Sequence, residues 1–265
     1  MKISLAQINT TPDVDQNLSR VVTAIQQAAQ DGAEVVVFPE ATACSFDGDF
    51  SGFARERSDS FHQAVQAAAN KHQIAVILGS FTPNTEDART SNTLVVARPD
   101  RELVLYNKIH LFDAFGFKES KGIAPGDQTV TVEINGVTVG LAICYDLRFP
   151  ELFTRLAREG AEVVVVIASW GDGPGKAEQW DLLTRARALD STSFVVACGQ
   201  AVRDLRREGE ATRTPLGVGH SAVVGPNGAD IARLDGAQAQ RTVLLDLDNV
   251  NQTRESIPVL ANHRL

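Results

Sequence analysis

Cysteine, uninterrupted basic segments and long apolar runs are all scarce in this 265-residue chain. Its three cysteines are Cys44, Cys144 and Cys198, and such an odd, sparse set favours reduced thiols in a cytoplasm over a disulfide framework. The formal net charge is −8, and the densest basic segment, Arg203 to Arg213, is interrupted by acidic residues. We therefore expect no nucleic-acid partner.

The apolar runs are too short for a membrane protein. The longest run, Ala161 to Ala168, contains Glu162 and is far below the length of a membrane span. The segment from Met1 to Asn9 is too short and too polar for a signal peptide. We expect a cytoplasmic protein that has no membrane partner.

Clustered metal ligands are also missing from the sequence. The histidines are scattered without ligand spacing. They are His62, His72, His110, His220 and His263. We predict no metal and no other cofactor, and we expect His110 and His220 to hydrogen-bond the scaffold.

The composition is that of a folded globular chain, with 43% hydrophobic and 22% charged residues. Helical periodicity predicts helices over 17–29, 56–72, 150–159 and 176–190. Apolar runs predict strands over 2–9, 33–38, 74–81, 91–98, 102–107, 129–134, 137–143, 161–168, 193–198, 221–224, 230–234 and 242–246. No linker interrupts this order, so we expect one α/β domain over residues 1–265, built in layers.

One segment of the chain echoes another. Gln30 to Val37 resembles Arg158 to Val165, and in both a helix end leads into a buried strand. The echo has two explanations. Junctions of this type look alike in general, or the fold is pseudo-symmetric with two facing sheets.

Three predicted strands each end at a reactive side chain. Glu40 follows one strand, Lys108 the next, and Cys144 follows the second strand of a hairpin whose turn is Asn135-Gly136. Functional sites gather at the carboxyl ends of strands in α/β sheets. These three residues can therefore meet in space although they are distant in sequence.

Together these residue types suit amide cleavage. A cysteine thiol with an ordinary pKa is mostly protonated at neutral pH, so attack needs a base such as the Glu40 carboxylate. Lys108 and the backbone N–H of Tyr145 would stabilise the oxyanion that forms. Each residue alone also has a structural explanation: a buried Cys packs as a small hydrophobe, and a Glu or Lys at a strand end is usually solvated.

Three segments of the chain resemble the signature segments of the nitrilase superfamily of carbon–nitrogen hydrolases. They are Phe38-Pro39-Glu40, the stretch from Asn107 to Phe112, and the stretch from Ile143 to Leu152. The resemblance implies a four-layer α-β-β-α sandwich and a homodimer or higher homo-oligomer. It implies a Glu–Lys–Cys triad at Glu40, Lys108 and Cys144, and a small-molecule amide as substrate.

The resemblance also implies a second glutamate. Glu119-Ser120-Lys121, which precedes Pro125-Gly126, is similar to a family segment whose glutamate orients the lysine and the substrate amide. The alternative for Glu119 is a charge on a surface loop.

Within the superfamily, the chain looks closest to the branch that contains ω-amidase and deaminated glutathione amidase, which hydrolyse terminal amides of 2-oxo acids. The similar segments are 110–113, 144–149, 185–188 and 219–221. By this resemblance Arg148 pairs with a substrate carboxylate. The alternative is a structural ion pair with Asp146 or Glu151.

Two segments depart from that branch. The stretch between His110 and Glu119 is shorter and carries Phe115-Gly116-Phe117, and Trp170-Gly171 follows Ala168-Ser169. We expect both to line the mouth of the pocket, so Phe115 and Trp170 join Tyr145, Arg148 and Phe46 as predicted substrate contacts.

Because of these two differences, the resemblance does not identify the substrate. An N-carbamoyl-amino-acid hydrolase or an aliphatic amidase uses the same carbonyl chemistry, and a true nitrilase is a further alternative. Outside the superfamily, the alternatives are a metal-dependent phosphoesterase sandwich and a non-catalytic interaction protein. The first needs clustered metal ligands, and the second has no reason to keep a buried lysine between carboxylates.

Overall fold

A computed structural model describes residues 1–203 and 217–264. Residues 204–213 of the interrupted basic segment lie outside the described residues. The strands are β1 (Lys2–Gln7), β2 (Val35–Val37), β3 (Ala75–Pro83), β4 (Thr90–Ala97), β5 (Val104–Asn107), β6 (Ile123–Ala124), β7 (Thr131–Ile134), β8 (Val137–Ile143), β9 (Val163–Ala168), β10 (Phe194–Gly199), β11 (Ala222–Val224), β12 (Asp230–Arg233) and β13 (Ala239–Leu244). The helices are α1 (Val14–Gln30), α2 (Phe50–Glu56), α3 (Ser58–His72), α4 (Pro150–Arg158), α5 (Lys176–Ser191), α6 (Asp248–Ser256) and α7 (Val259–Asn262).

The strands form two sheets. One has the order β13-β1-β2-β3-β4-β5, with β6 paired to β4, and the other has the order β12-β11-β10-β9-β8-β7. Both are mixed: β1, β2 and β3 run parallel, as do β8, β9 and β10. The remaining neighbours in each strand order pair antiparallel, and β6 pairs parallel to β4. The two echoing segments therefore occupy matching places, because β2 and β9 are each the middle of three parallel strands.

The main core lies between the sheets. Leu5 and Val37 of the first sheet pack in one cluster with Leu141 and Val165 of the second. A second cluster joins the outer face of the first sheet to α1 and α3, and α4 and α5 cover the second sheet. The predicted α-β-β-α sandwich is confirmed, and its strands are apolar on both faces because each sheet is covered on both sides.

Several element boundaries differ from the predictions. The first helix begins at Val14 rather than residue 17, because the Asp13 carboxylate caps the N–H groups of Asp15 and Gln16. The predicted helix over 56–72 corresponds to α3, which begins at Ser58 because the backbone leaves the helical conformation at Arg57, whose φ is −126°. The last strand is 239–244 rather than 242–246, and α2, α6, α7 and the short strand β6 were not predicted.

Asn135-Gly136 makes the predicted hairpin turn. The φ angles of Asn135 and Gly136 are 51° and 80°, both in the left-handed region that a tight two-residue turn requires. The turn fixes the register of β7 on β8, in which Ile134 pairs with Val137. It thereby places the end of β8, where Cys144 follows, at one edge of the second sheet.

None of the helices in residues 1–203 and 217–264 has the length and apolar character needed to cross a lipid bilayer. Within the same residues, no group of three or more His, Cys, Asp or Glu side chains is placed to hold a metal ion.

A buried histidine makes the stability of the fold depend on pH. His62 on α3 is 5% exposed, its Nε2 lies 2.8 Å from the Ser80 hydroxyl, and burial lowers its pKa from 6.5 to about 4. The pKa of His62 is lower in the folded than in the unfolded protein, so the folded state favours the neutral imidazole. The stability that this preference contributes is fully present above pH 6.5 and is lost as the pH falls towards 4. The full effect is about 3 kcal/mol of unfolding free energy.

We expect His62→Gln, which keeps a polar partner for Ser80 but does not titrate, to lose less stability over this interval. Urea unfolding of both proteins between pH 7 and pH 4 measures the difference. Parallel curves for the two proteins would contradict the role of His62.

Candidate active site

Glu40 lies in a tight turn after β2 that packs directly against β3. A Cβ at Gly79 would come within 2.5 Å of the Glu40 Cα, so only glycine permits this approach. The Gly79 N–H donates to the Pro39 carbonyl and the Ala43 N–H donates to the Gly79 carbonyl. These bonds fix the backbone of Glu40, whose side chain is 1% exposed.

Lys108 and Glu119 are held beside Glu40 by backbone hydrogen bonds. Lys108 follows β5, and its N–H donates to the Asn92 carbonyl. Glu119 begins a short 3₁₀ turn, Glu119–Lys121, and accepts the Phe112 N–H at 2.7 Å. Glu119 is 4% exposed, so the structure places it in the buried site and not on a surface loop.

The three charges form one buried network. The Lys108 Nζ donates to Glu40 Oε1 at 3.0 Å and to Glu119 Oε2 at 2.9 Å. The other Glu40 oxygen accepts the Ser169 N–H at 2.7 Å. Burial alone would lower the pKa of Lys108, but the carboxylates of Glu119 and Glu40 outweigh it and raise that pKa well above its usual value. Lys108 is therefore a fixed cation.

Asn92 was missed by the sequence reasoning. Its Nδ2 donates to Glu40 Oε1 at 2.8 Å and to Glu119 Oε1 at 2.9 Å, so it links the two carboxylates. The available signal was weak: Asn92 lies between Ser91 and Thr93 at the polar start of a predicted strand, and β4 proves to be buried along its whole length. Asn92 and Lys108 together keep two carboxylates of like charge close to each other.

Cys144 occupies a strained backbone elbow. Its φ is 48°, in the left-handed region that a non-glycine residue rarely adopts, and a 3₁₀ turn, Cys144–Arg148, follows it. Burial, followed by the nearby Glu40 carboxylate, raises the pKa of the Cys144 thiol well above its usual value. The resting thiol is therefore protonated.

The Asp146 side chain fixes the backbone around Cys144 through hydrogen bonds. This fully buried carboxylate accepts the Ile143 N–H at 2.9 Å, the Tyr106 hydroxyl at 2.6 Å and the His110 N–H at 3.0 Å. The His110 Nδ1 lies 2.7 Å from the same carboxylate, so His110 bonds to the scaffold as expected. The backbone conformation at Cys144 thus depends on the Asp146 carboxylate, which accepts hydrogen bonds from several donors.

We expect Asp146→Asn to cost about 2–4 kcal/mol of unfolding free energy, because the amide places a donor against groups that also donate. Activity should fall with it, since Cys144 loses its fixed geometry. Asp100→Asn, at an exposed turn position that tolerates either residue, is the matched control and should unfold as wild type does. Thermal unfolding of the three proteins measures the effect, and equal stability of both variants would contradict the role given to Asp146.

The side chains meet in one pocket, whose roughly 400 Å³ of space free of atoms includes open solvent at its mouth. Of the predicted residues it is lined by Glu40, Phe46, Lys108, Glu119, Cys144, Tyr145, Arg148 and Trp170. It is also lined by Phe117 and Gly171, which lie in the two segments predicted at the mouth but were not singled out, and by Phe112, Ser169 and Lys176, which were not predicted.

The structure places Phe115 outside the cavity lining, contrary to the prediction for this residue. It is 81% exposed, and its φ of 54° turns the loop so that Phe112 and Phe117 line the cavity instead. Phe115 covers the Lys176 ammonium, which lies 4.1 Å from the ring centroid. The prediction that this loop lies at the mouth of the pocket was right, but the residue that lines the pocket is Phe117 and not Phe115.

Arg148 does not pair with Asp146 or Glu151 in the described part of the chain. Its Nη2 donates to the Gln179 side-chain oxygen at 2.6 Å, and its guanidinium lies 5.1 Å from the Trp170 ring centroid. The structural ion pair considered for Arg148 is therefore not formed, and its charge faces the cavity.

Comparison with known proteins identifies the relatives of this chain. A family model described as carbon-nitrogen hydrolase matches residues 2–255. A Mycobacterium tuberculosis protein named only as a hydrolase is 47% identical over 99% of this chain and 95% of its own length. The deaminated glutathione amidase of Escherichia coli O157:H7 is 31% identical over 100% of this chain and 97% of its own length.

The fold agrees with the sequence comparison. The crystal structure of Saccharomyces cerevisiae Nit3, described as a nitrilase superfamily member, superposes with a TM-score of 0.85 at 28% identity, covering 100% of this chain and 97% of that one. The expectation of an enzyme that acts on carbon–nitrogen bonds of amides is confirmed. The chain belongs to the carbon-nitrogen hydrolase family, within the nitrilase superfamily that its three signature segments resemble.

Proposed function

We propose that this protein hydrolyses the terminal amide of a small carboxylic acid, such as a 2-oxo acid, through a thioester on Cys144, and releases ammonia. The observation that carries the proposal is the buried network of Glu40, Lys108 and Glu119 in one cavity with the Cys144 thiol. Buried charges are costly unless paired, and a chain with a merely structural need would use apolar residues there.

Acylation begins when Cys144 Sγ attacks the amide carbon and Glu40 takes the thiol proton. Glu40 suits this role because its side chain is close enough to hydrogen-bond with that thiol, so the base lies next to the proton it would take. The carbonyl oxygen becomes an oxyanion, which Lys108 and the Tyr145 backbone N–H would stabilise. Glu40 then gives the proton to the nitrogen, the C–N bond breaks and ammonia leaves.

Deacylation uses the same base. Glu40 removes a proton from a water molecule that attacks the thioester carbon, and the C–S bond breaks. The sulfur recovers a proton from Glu40, and the carboxylic acid product leaves. Glu119 and Asn92 act by positioning: they hold Lys108 and Glu40 in place through the hydrogen bonds described above.

Two features support an acidic substrate. The deaminated glutathione amidase of Escherichia coli is a relative over the whole chain. Arg148 lines the cavity with no carboxylate partner in the described residues, and a guanidinium suits bidentate binding of a carboxylate.

Ammonia release from a panel of compounds tests the proposal. The panel contains 2-oxoglutaramate, 2-oxosuccinamate, a deaminated glutathione, an N-carbamoyl amino acid, a simple aliphatic amide and a nitrile. We expect turnover of an amide that carries a carboxylate. Turnover of only the N-carbamoyl compound or the nitrile would overturn the proposed substrate class.

The homodimer and the cytoplasmic location stay predictions. Leu182 and Leu189 lie seven residues apart on α5 and are 68% and 48% exposed, so they form an apolar face suited to a second subunit. Sedimentation of the purified protein tests the dimer, and a monomer at micromolar concentration would contradict it.

A further inference from the structure

Two cationic side chains, Arg148 and Lys176, lie at the mouth of the cavity, and each contacts neutral groups. Arg148 bonds to the Gln179 amide and lies over Trp170, while the Lys176 ammonium lies against the Phe115 ring. Aromatic rings attract cations but do not neutralise their charge. Among the residues that the structure describes, neither cation has a carboxylate partner.

Trp170 joins the two cations into one unit. Its ring supports the Arg148 guanidinium, and its Nε1 donates to the Lys176 carbonyl at 3.0 Å. The tryptophan is itself buried, at 4% exposed, and packs against Trp180. Lys176 is the first residue of α5, whose positive dipole end adds to the local potential. Arg148 and Lys176 are therefore placed by the scaffold and do not move freely in solvent.

The cavity has opposite charges at its two ends. Its buried end holds Glu40, Glu119 and one compensating cation, Lys108, and its mouth holds Arg148 and Lys176. A substrate anion is repelled from the thiol end and attracted to the mouth. This field orients an amide with its carbonyl at Cys144 and its acidic group outward.

We propose that Lys176 is a specificity-determining residue that binds, together with Arg148, the anionic group of the acyl part of the substrate. The inference rests on the proposed function and names the residue that selects acidic over neutral amides. The pKa of Lys176 agrees, since partial burial and then the neighbouring Arg148 lower it, which is the effect of two cations in one confined space.

The kinetic test uses a matched substrate pair, glutaramate and pentanamide, which differ in the terminal carboxylate. For Lys176→Met we expect the ratio of kcat/KM for glutaramate to that for pentanamide to fall about tenfold or more, chiefly through KM for glutaramate. Lys176→Arg should restore most of the ratio. Lys71→Met, which removes an exposed lysine on α3, is the control and should leave the ratio unchanged. A ratio in Lys176→Met equal to that of wild type overturns the proposal.

A second readout does not depend on amide turnover. Iodoacetate and iodoacetamide alkylate a thiol to similar products, but only the first is an anion. We expect the rate of Cys144 labelling by iodoacetate relative to iodoacetamide to fall about tenfold in Lys176→Met, and to fall in wild type as salt is added. Peptide mass mapping separates Cys144 from Cys44 and Cys198.

The two readouts distinguish the two proposals. If no amide is hydrolysed but the labelling preference depends on Lys176, the proposed function fails while the anion site stands. If amides are hydrolysed but neither the kinetic ratio nor the labelling preference changes, Lys176 is not a specificity residue. If no amide is hydrolysed and neither reagent labels Cys144, the cavity does not admit small molecules to a reactive thiol, and both proposals fail.

Discussion

Replacing Cys144 by alanine is expected to lower kcat by at least about 10⁴-fold while the protein stays folded. Alanine removes the sulfur on which the proposed acyl-enzyme forms, and the buried Glu40, Lys108 and Glu119 network should remain intact. Because the side chain is small and lies at a cavity, the free energy of unfolding should change by less than about 1 kcal/mol. Ammonia release and thermal unfolding measure the two effects.

The other two cysteines supply matched controls. Cys44 and Cys198 are buried thiols, and burial raises their pKa to about 11 and about 12. Cys198 lies against the backbone carbonyls of Val37 and Ala6, inside the core. Cys44→Ala and Cys198→Ala should retain kcat within a few-fold. A Cys144→Ala protein that turns over amide at a comparable rate would contradict the assigned nucleophile.

Replacing Lys108 by methionine is expected to damage both catalysis and folding. The oxyanion loses its cation, which we expect to lower kcat by about 10²–10³-fold or more. Glu40 and Glu119 also lose the cation between them while they remain 1% and 4% exposed. Breaking a buried pair in this way costs about 3–5 kcal/mol of unfolding free energy.

A double mutant separates the two effects of Lys108. In Lys108→Met combined with Glu119→Gln, one of the two repelling carboxylates is gone. The double mutant should therefore lose less unfolding free energy than the sum of the losses in the two single mutants, while its activity stays low. Lys121→Met, at an exposed position two residues beyond Glu119, is the charge control. If the losses of unfolding free energy in the two single mutants add up to the loss in the double mutant, Lys108 and Glu119 are not energetically coupled. That result would contradict the ion pair inferred from their 2.9 Å separation.

The residues that the sequence predicted well are those whose position follows from a strand end. Glu40, Lys108 and Cys144 each follow a recognisable apolar run, and the register of a sheet brings such ends together. Their assembly in one cavity could therefore be anticipated, and the resemblance added Glu119. The catalytic roles themselves stay a proposal until the variants are measured.

The residues that were missed depend on loop conformation or on packing across strands. The choice of Phe117 over Phe115 follows from a positive φ at Phe115, which a Phe-Gly-Phe sequence does not specify. Lys176 reaches the cavity because Gly175, with a φ of 71°, sets the start of α5. Asn92 lies in a strand that was predicted, but its role appears only when its carboxylate partners are located.

The most direct test of the account is the mass of Cys144 during turnover. Wild-type protein mixed with a saturating amide substrate, quenched in acid within milliseconds and digested with pepsin, should yield the Cys144 peptide with the mass of the acyl group added. The Cys44 and Cys198 peptides should be unmodified. Sustained ammonia release with no acyl mass on Cys144 at any quench time, together with activity in Cys144→Ala, would contradict the thioester mechanism.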